Sequence, residues 1–362
     1  MTSRELELAD LGYNPFFSSQ LDRLERPGLI PARIAADGPG IYTLLGCRAQ
    51  LGELSGRLRH ELHETARPAV GDWVAVADDD HRAVIHQVLH RRTAMIRRAA
   101  DPHLRDTPRQ QVIAANVDLF GIVTSANRDL NPRRLERYMT AAWDSGATPL
   151  VVLNKIDLAD DIAPMVAVIE EVAFGAAIVP VSALTGAGID MLRTHVGRGT
   201  TVGLVGSSGV GKSSLINRLV GREVQYVKEI REDDARGRHT TTRRELVLLP
   251  GGGVLVDTPG MRELGLIEDE GGVDATFADI AEIARDCRFN DCRHESEPGC
   301  AVQAALHSGL LSADRLQSYR KLQREIAAAE RRRDPVLAAN ERRKWKTIHK
   351  ELRVLEKAKG RR

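Results

Sequence analysis

The pattern of apolar and polar positions changes twice along this chain of 362 residues. Residues 29–105 carry short runs in which apolar and polar side chains alternate, with turn sequences such as Asp37-Gly38-Pro39-Gly40 between them. Such alternation is typical of strands that bury one face, and five runs predict a small β-barrel. Residues 1–28 are expected to form a loose N-terminal arm, tacked onto a neighbouring domain by Phe16, Phe17 and Leu21.

From residue 106 onward the strands become apolar throughout and alternate with helical stretches. Apolar side chains spaced by three and four predict a helix at 132–145. Strands that alternate with helices predict a parallel, doubly wound α/β sheet over residues 106–268, whose ligands bind beyond the carboxyl ends of the strands. The predicted buried strands are 117–124, 149–153, 177–181, 201–205 and 254–256.

The last segment, residues 269–362, is predicted to be helical, and its end is strongly basic. Residues 331–362 hold 13 Lys and Arg against 4 Asp and Glu, a net +9, while the remainder of the chain is net −7. This asymmetry suggests a tail that meets a polyanion such as RNA. A solvated helix face is the alternative. A second alternative is that the tail is a helix that packs against the zinc domain. Its apolar residues Trp345, Ile348, Leu352 and Leu355 are spaced by three and four and form a single apolar seam.

Three short motifs follow predicted strands, and their order is informative. Asn154-Lys155-Ile156-Asp157 comes first, a phosphate-binding loop at 206–213 comes second, and Asp257-Thr258-Pro259-Gly260 comes third. Each corresponds to a known part of a GTP site. In the usual order the phosphate loop leads and the base-recognition motif trails. This domain is therefore predicted to be a circularly permuted P-loop GTPase.

The phosphate loop matches G-x-x-x-x-G-K-[ST] between a predicted strand and a predicted helix. It reads Gly206-Ser207-Ser208-Gly209-Val210-Gly211-Lys212-Ser213, with Ser214 next in the chain. Glycines let backbone N–H groups turn towards the phosphates. Lys212 is expected to reach the β- and γ-phosphates, and the Ser213 hydroxyl is expected to ligate Mg²⁺.

The motif Asn154-Lys155-Ile156-Asp157 is expected to recognise the base. The Asp157 carboxylate can accept hydrogen bonds from N1–H and from the exocyclic N2 of guanine. Adenine offers neither donor and would leave the carboxylate unpaired. Ser182 and Ala183 follow the strand at 177–181 and resemble the small loop that backs the base.

The third motif and the segment before it predict the switch regions. Asp257 is expected to hold Mg²⁺ through water, and the Gly260 N–H is expected to meet the γ-phosphate. A switch loop is expected at 238–242. One of its three threonines would ligate Mg²⁺, and an ordinary polar surface loop is the alternative. The candidates are Thr240, Thr241 and Thr242.

Met261 stands where many GTPases carry a Gln that orients the attacking water. Because Met hydrogen-bonds water only weakly, intrinsic turnover should be slow, or another group substitutes. His239 is the best candidate in the switch segment, since its pKa range suits proton transfer. A solvated loop histidine is the alternative.

Four residues near position 290 predict a metal site. The spacing Cys287-x4-Cys292-x-His294-x5-Cys300 offers three thiolates and one imidazole, a closed tetrahedral set for one structural Zn²⁺ per chain. Ordinary buried cysteines or a redox site are the alternatives, and a reducing compartment makes disulfides improbable. Cys47 stands alone in the sequence.

Other features bound the location and the partners. The chain shows no apolar run of about 18 residues and has a polar start, so a cytoplasmic monomer without a membrane partner is expected. The barrel offers a second plausible RNA surface. Trp73 could stack on a base there, but a core tryptophan is the favoured interpretation.

Taken together, these residues resemble the ribosome small-subunit-dependent GTPase A family, a bacterial group of circularly permuted GTPases. The resemblance covers nearly the whole chain. It rests on the permuted order, on Gly237-Arg238-His239-Thr240-Thr241-Thr242, on the Asp257 motif, and on the Cys/His segment with Glu297-Pro298-Gly299.

The resemblance implies an N-terminal OB-fold barrel, a permuted GTPase centre and a C-terminal zinc domain. It implies action late in maturation of the 30S subunit, contact with its 16S rRNA, and GTP hydrolysis to GDP that the subunit stimulates. It also supports the GTP contacts at 154–157 and 206–213, the four zinc ligands, and His239 as a hydrolysis residue.

Three functional hypotheses follow. The first is a GTPase that leaves the 30S subunit after hydrolysis. The second is a non-hydrolysing RNA-binding assembly factor, which Met261 keeps open. The third, an ATP-dependent enzyme, is disfavoured by Asp157. In the permuted chain the segment after Gly260 leads straight into the zinc domain, so switch movement is expected to pull on that domain.

Overall fold

The computed structural model of the chain describes residues 7–38, 40–62, 66–79, 81–99, 109–127, 130–221, 245–257 and 270–333. The proposed domain boundaries at 105/106 and 268/269 lie outside these ranges, as does nearly all of the basic tail with its apolar seam. No helix within the ranges combines the length and the apolar character that crossing a membrane requires.

The N-terminal β-barrel is confirmed as a closed sheet of five strands with the order of an OB-fold. The strands follow one another around the barrel as β1-β2-β3-β5-β4, and β4 pairs back onto β1. Only β3 and β5 run parallel to each other. The elements are β1 (Leu29–Asp37), β2 (Tyr42–Leu45), β3 (Leu51–Leu54), β4 (Trp73–Ala77) and β5 (Ala83–Val88), with α2 (Gly56–Glu61) between β3 and β4.

The N-terminal segment is not a loose arm, and that expectation is wrong for the described residues 7–28. It forms a 3-10 turn (Leu8–Leu11) and helix α1 (Pro15–Asp22), which Asn14 caps. Leu11 and Phe17 are fully buried, whereas Phe16 is 42% exposed. Phe17 lies 5.8 Å from Trp73 between ring centroids. Trp73 is itself fully buried, so it is a core residue and cannot stack on RNA.

A hairpin and a parallel sheet follow the barrel. The hairpin pairs β6 (Ala94–Ala99) with β7 (Arg109–Ala115). In the sheet, neighbouring strands run in the order β10-β9-β8-β11-β13-β12, parallel except for β12. This confirms the predicted α/β architecture. Its strands are β8 (Leu119–Ser125), β9 (Thr148–Asn154), β10 (Ala177–Pro180), β11 (Thr201–Val205), β12 (Glu245–Leu248) and β13 (Val254–Asp257).

Helices cover both faces of this sheet, which explains why its strands are apolar throughout. In β9, Val151 and Leu153 face one hydrophobic cluster, while Leu150 and Val152 face the other. The first cluster includes residues of α3 and α4, and the second includes residues of α5 and α6. These helices are α3 (Pro132–Asp144), α4 (Ala163–Glu170), α5 (Ile189–His195) and α6 (Lys212–Val220).

A buried guanidinium joins the barrel to the α/β sheet. Arg33 of β1 is 1% exposed, and burial lowers its pKa to about 10, which leaves it charged at neutral pH. Four hydrogen bonds from the guanidinium offset the cost of burying this charge. One of the acceptors is Thr201, the first residue of the strand that leads into the phosphate loop. The barrel therefore holds that strand at its first residue. The acceptors are the carbonyl oxygens of Leu11, Gly71 (3.2 Å) and Asn116 (3.2 Å) and Oγ1 of Thr201 (2.9 Å).

The C-terminal region is helical, as predicted, and it packs against α3. Arg315 donates to Glu136 of α3 at 2.8 Å and to Asp279 at 2.9 Å, and its guanidinium stacks 4.3 Å from the centroid of Phe277. Removing one partner from such a buried ion pair typically costs about 3–5 kcal/mol. The C-terminal domain is thus fixed to the helix between β8 and β9. Its helices are α7 (Glu270–Thr276), α8 (Ala278–Ala284), α9 (Ala301–Ser308) and α10 (Ala313–Arg333).

Candidate nucleotide site and metal cluster

The base-recognition motif and the phosphate loop lie at one edge of the sheet. The motif begins at the end of β9 and the loop follows β11, and both strands pair in parallel with β8. Parallel strands place their carboxyl ends at the same edge, where α/β proteins bind ligands. The sheet thus brings together two segments that are about 50 residues apart in the chain.

The phosphate loop is built around glycines with left-handed backbone conformations. Gly209 and Gly211 have φ of 85° and 95°. A Cβ at Gly211 would lie 2.4 Å from the side-chain nitrogen of Asn154. At Gly206, a Cβ would lie 2.3 Å from the carbonyl oxygen of Val123. Larger side chains therefore cannot replace Gly206 or Gly211 without moving the neighbouring strand or the base-recognition motif.

Lys212 and the serines stand at the start of α6. Nζ of Lys212 donates to the carbonyl oxygens of Gly206 at 2.6 Å and Ser207 at 2.7 Å, so the ammonium already lies over the loop. Ser213 and Ser214 are exposed in the first turn of the helix, and Ser208 is exposed in the loop. A helix N-terminus with free N–H groups and a lysine above it suits phosphate binding.

Asn154 and Lys155 tie the base-recognition motif to the phosphate loop. Asn154 is 1% exposed. Its Nδ2 donates to the Val210 carbonyl at 2.9 Å, and its Oδ1 accepts from the Ala183 N–H at 3.0 Å. Lys155 adopts φ of 62°, and its Nζ donates to the Gly209 carbonyl at 2.6 Å. Side-chain hydrogen bonds thus join the two segments that are predicted to contact the base and the phosphates.

Asp157 is exposed, while the residue that orients it is buried. The Ser182 hydroxyl donates to Oδ1 of Asp157, and the Thr185 N–H donates to the same hydroxyl oxygen at 3.1 Å. Ser182 has no exposed surface. Ile156, which lies between Lys155 and Asp157, packs against the hydrophobic cluster that includes residues of α3 and α4. The arrangement presents one carboxylate to a ligand beside the phosphate loop.

The structure brings together the predicted residues of the motif, of the loop that backs the base and of the phosphate loop. These are Asn154, Lys155, Ile156, Asp157, Ser182, Ala183, Gly206, Ser207, Ser208, Gly209, Val210, Gly211, Lys212, Ser213 and Ser214. The other candidates lie beyond the described positions. His239, Thr240, Thr241, Thr242, Gly260 and Met261 fall outside the described ranges, and of Asp257 only the backbone at the end of β13 is described.

Sequence reasoning missed two residues at this edge. The Ala126 N–H, just after β8, donates to the Asn154 carbonyl at 2.7 Å. Arg218, in the last turn of α6, donates to the loop that backs the base. Ala126 could have been found from the sequence, because the polar Ser125 just before it ends a buried strand. A charged residue late in a helix gives no comparable signal.

The four predicted metal ligands converge, with their ligand atoms within 4.8 Å of one another. Nδ1 of His294 lies 3.5 Å from Sγ of both Cys287 and Cys300, and those two sulfurs are 3.9 Å apart. Tetrahedral zinc with Zn–S bonds of about 2.3 Å and a Zn–N bond of about 2.0 Å would place sulfurs about 3.8 Å apart and sulfur and nitrogen about 3.5 Å apart. The spacing and the donor set, completed by Cys292, therefore fit zinc.

Outer hydrogen bonds hold this cluster in shape. His294 adopts φ of 60°, and its carbonyl accepts from the side chains of Gln303 and Arg320. Burial lowers the pKa of His294 and favours the neutral imidazole, the form that binds a metal. The Glu297 carboxylate accepts from backbone N–H groups, including that of Arg293 at 3.0 Å, which lowers its pKa to about 2. Such outer partners orient metal ligands.

The fold and the site define a circularly permuted P-loop GTPase. The family model described as RsgA GTPase matches residues 88–267. A second model, described as a 50S ribosome-binding GTPase, matches residues 201–341. The second match starts at the strand of the phosphate loop and leaves out the base-recognition motif at 154–157. That is the consequence of the permuted order.

Relatives over the full length show the family. The chain is 44% identical over 349 residues to the small ribosomal subunit biogenesis GTPase RsgA of Syntrophotalea carbinolica, covering 95% of this chain and 96% of the relative. It is 45% identical over 369 residues to the protein of the same name from Opitutus terrae, covering 98% and 100%. The chain belongs to the RsgA family of GTPases.

Solved structures share the architecture. YjeQ from Thermotoga maritima aligns with a TM-score of 0.61 and 27% identity, over 83% of this chain and 99% of YjeQ. YloQ, described as a circularly permuted GTPase, aligns with a TM-score of 0.59 and 24% identity, over 84% of this chain and 97% of YloQ. The second likeness supports the fold alone.

Proposed function

We propose that this chain binds GTP, associates with the 30S ribosomal subunit late in its maturation, and leaves the subunit after hydrolysing GTP to GDP. One observation carries the nucleotide part of the proposal. The base-recognition motif is hydrogen-bonded to the phosphate loop at one sheet edge, through Asn154 and Lys155. The names of the full-length relatives support the small subunit as partner.

In this proposal, Asp157 recognises the N1–H and N2 groups of guanine, and Ser182 with Ala183 backs the ring. Residues 206–213 hold the phosphates, with Lys212 at the β- and γ-phosphates. Mg²⁺ bound with GTP would neutralise phosphate charge. Its protein ligands would be Ser213, one of Thr240, Thr241 and Thr242, and Asp257 through water. The Gly260 N–H would contact the γ-phosphate, and His239 would act on the attacking water.

The C-terminal domain is the proposed output of the switch. β13 ends at Asp257, and α7 begins at Glu270 and packs on α3. Thr276 of α7 faces Thr140 of α3 with the hydroxyl oxygens 3.1 Å apart. Because α7 is the first helix that the structure describes after the Asp257 motif in the chain, a displacement of that motif would move α7 before the other helices of the C-terminal domain. This supports coupling of nucleotide state to release from the subunit.

RNA contacts are assigned to the basic C-terminal tail and the barrel surface. The net charge of +9 over residues 331–362 suits contact with the phosphates of 16S rRNA, which gives affinity without sequence recognition. A monomer that works in the cytoplasm, where ribosomal subunits assemble, is the simplest form of the proposal.

We further propose one Zn²⁺ at Cys287, Cys292, His294 and Cys300. Substituting Cys292→Ser is expected to release the metal and to destabilise the C-terminal domain by at least about 3 kcal/mol, because metal binding is coupled to folding. GDP affinity should change little, since the cluster lies outside the nucleotide site. Elemental analysis and thermal unfolding check both effects, with Cys47→Ser as the matched control. Natively purified protein without zinc would contradict the assignment.

Binding to purified 30S subunits tests the proposed partner. Co-sedimentation should be stronger with a non-hydrolysable GTP analogue than with GDP, and it should weaken as salt is raised, because phosphate contacts release counterions. Purified 50S subunits are the control partner. Equal sedimentation with both nucleotides, or a preference for 50S subunits, would overturn the proposal.

A further inference from the structure

The helix that follows the phosphate loop also reaches the loop that backs the base. Arg218 lies in the last turn of α6. Its Nη2 donates to the Leu184 carbonyl at 2.7 Å, and its Nε donates to the Ala183 carbonyl at 3.3 Å. One guanidinium thus spans two successive carbonyl groups. Its donors form a planar, fixed fork that suits this geometry, whereas a lysine ammonium is a compact point charge.

The loop that Arg218 holds, residues 182–188, forms a compact turn. The Ser182 N–H donates to the Ala187 carbonyl at 2.9 Å, and the Gly186 N–H donates to the Ser182 carbonyl at 2.8 Å. Gly186 adopts φ of 92°, and a Cβ there would lie 3.5 Å from Nη2 of Arg218. A side chain at position 186 would therefore contact the guanidinium, which lies beside the turn.

The same turn also holds two side chains of the base-recognition motif, those of Asn154 and Asp157. The Ala183 N–H donates to the side-chain oxygen Oδ1 of Asn154, and the Ser182 hydroxyl donates to the Asp157 carboxylate. A shift of the turn would move the Asp157 carboxylate relative to the phosphate loop. The link from α6 to the turn is therefore a link between the phosphates and the base.

We propose that Arg218 is a positioning residue for guanine recognition, which fixes the 182–188 turn to the phosphate-loop helix. The inference rests on the proposed guanine site and deepens it. Arg218 does not touch the nucleotide in this account. Its effect is to keep the guanine pocket at the correct distance from the phosphate loop, so its loss should weaken guanine nucleotides selectively.

Arg193 on α5 provides a matched control. It has the same side chain and charge, and its Nη2 donates to the Arg218 carbonyl at 3.2 Å. Its other contact is an exposed ion pair with Asp190 at 2.9 Å. Arg193→Gln removes a neighbouring positive charge without removing either bond to the turn. It should keep native nucleotide affinities.

The test measures GDP and ADP affinity by competition against a fluorescent guanine nucleotide. Arg218→Gln should weaken GDP binding about five- to tenfold, as expected for two lost hydrogen bonds, with ADP affinity unchanged. Arg218→Lys should give an intermediate loss, because one ammonium cannot hold both carbonyls. Thermal unfolding reports whether each variant folds. If Arg218→Gln does not fold, the lysine variant decides alone.

Two results would overturn the inference. The first is a GDP affinity equal to that of the native chain in Arg218→Gln, or in Arg218→Lys if the glutamine variant does not fold. The second is an equal loss of affinity for GDP and for ADP, which would show that Arg218 has a purely structural role. The native chain separates this failure from failure of the proposed function. If the native chain itself binds GDP and ADP equally, base recognition by Asp157 is wrong. If the native chain prefers GDP and the variants keep that preference undiminished, only the role of Arg218 is wrong.

Discussion

Replacing Asp157 by Asn is expected to lower the affinity for GTP at least about tenfold, or ~1.4 kcal/mol, and to raise the affinity for xanthosine triphosphate. The carboxylate can accept from both N1–H and N2 of guanine. The asparagine amide would set an N–H₂ donor against the guanine N2 donor. Xanthine carries a carbonyl oxygen in place of that amino group and can accept from the asparagine.

The variant should fold normally, because its contacts survive. The Ser182 hydroxyl donates to Oδ1 of Asp157, and the asparagine carbonyl oxygen can accept the same bond. Residue 157 is exposed, so no buried charge is lost. A change in affinity would therefore report on recognition of the base and not on stability.

Asp160→Asn is the matched control, since Asp160 is exposed and follows the same motif. It should leave all nucleotide affinities unchanged. The native chain should prefer GTP to ATP at least about tenfold, since a bound adenine would cover the Asp157 carboxylate and leave it unpaired, which costs ~1–3 kcal/mol. Equal affinity of the native chain for GTP and ATP, or an Asp157→Asn variant that still prefers GTP, would show that Asp157 does not recognise the base.

The sequence predicted the architecture of the sheet, and the two motifs predicted to bind nucleotide lie at one edge of that sheet. Apolar strands that end in polar motifs identify the carboxyl edge of a parallel sheet, so the sequence alone predicts that Asn154 and Gly206 lie close together. Fixed geometry at the site also leaves a local trace. Gly211 cannot carry a Cβ beside Asn154, and the glycine spacing of the phosphate loop records that restriction.

Contacts between domains left no such trace. Arg33 lies in a barrel strand, and nothing in its neighbourhood indicates that it bonds to Thr201, 168 residues away. Arg315 is one of many charged residues in a helical segment, yet it is buried against Glu136. These pairings depend on how the domains meet, which periodicity and local motifs do not encode.

The N-terminal segment was mispredicted for a related reason. The expectation that Phe17 holds the segment on a neighbouring domain is confirmed by its burial, whereas the looseness of the arm is not, because the segment forms a 3-10 turn and a helix. Leu11 and Phe17 enter the space between the barrel and the sheet, and Arg198 of the sheet domain pairs with Asp10. Burial of two apolar side chains and one ion pair therefore orders a segment that composition alone describes as loose.

In the Cys/His cluster, too, local residues could be predicted from the sequence while their distant partners could not. The four candidate ligands were predicted because zinc demands particular atoms at short spacing. The side chains that hold His294 in place, Gln303 and Arg320, lie on α9 and α10 and carry no signature in the sequence. Ligand identity is thus local, while the support of the ligands depends on the packing of the whole domain.

Turnover of GTP in the presence of small subunits is the second result with a large expected effect. Because Met261 cannot orient water, the chain alone should hydrolyse GTP slowly. Contact with the subunit should complete the site and raise turnover by about 10²-fold or more. His239→Ala should remove most of that increase while GTP affinity stays near native, because a group that acts on water works in the transition state.

The most direct measurement is therefore steady-state GTP hydrolysis by the native chain, titrated with purified 30S subunits and, separately, with 50S subunits. The account predicts turnover that rises and saturates with 30S subunits alone. Turnover that does not change on adding 30S subunits, or that rises equally with 50S subunits, would contradict a GTPase of small-subunit maturation and would favour an assembly factor that uses nucleotide only as a conformational ligand.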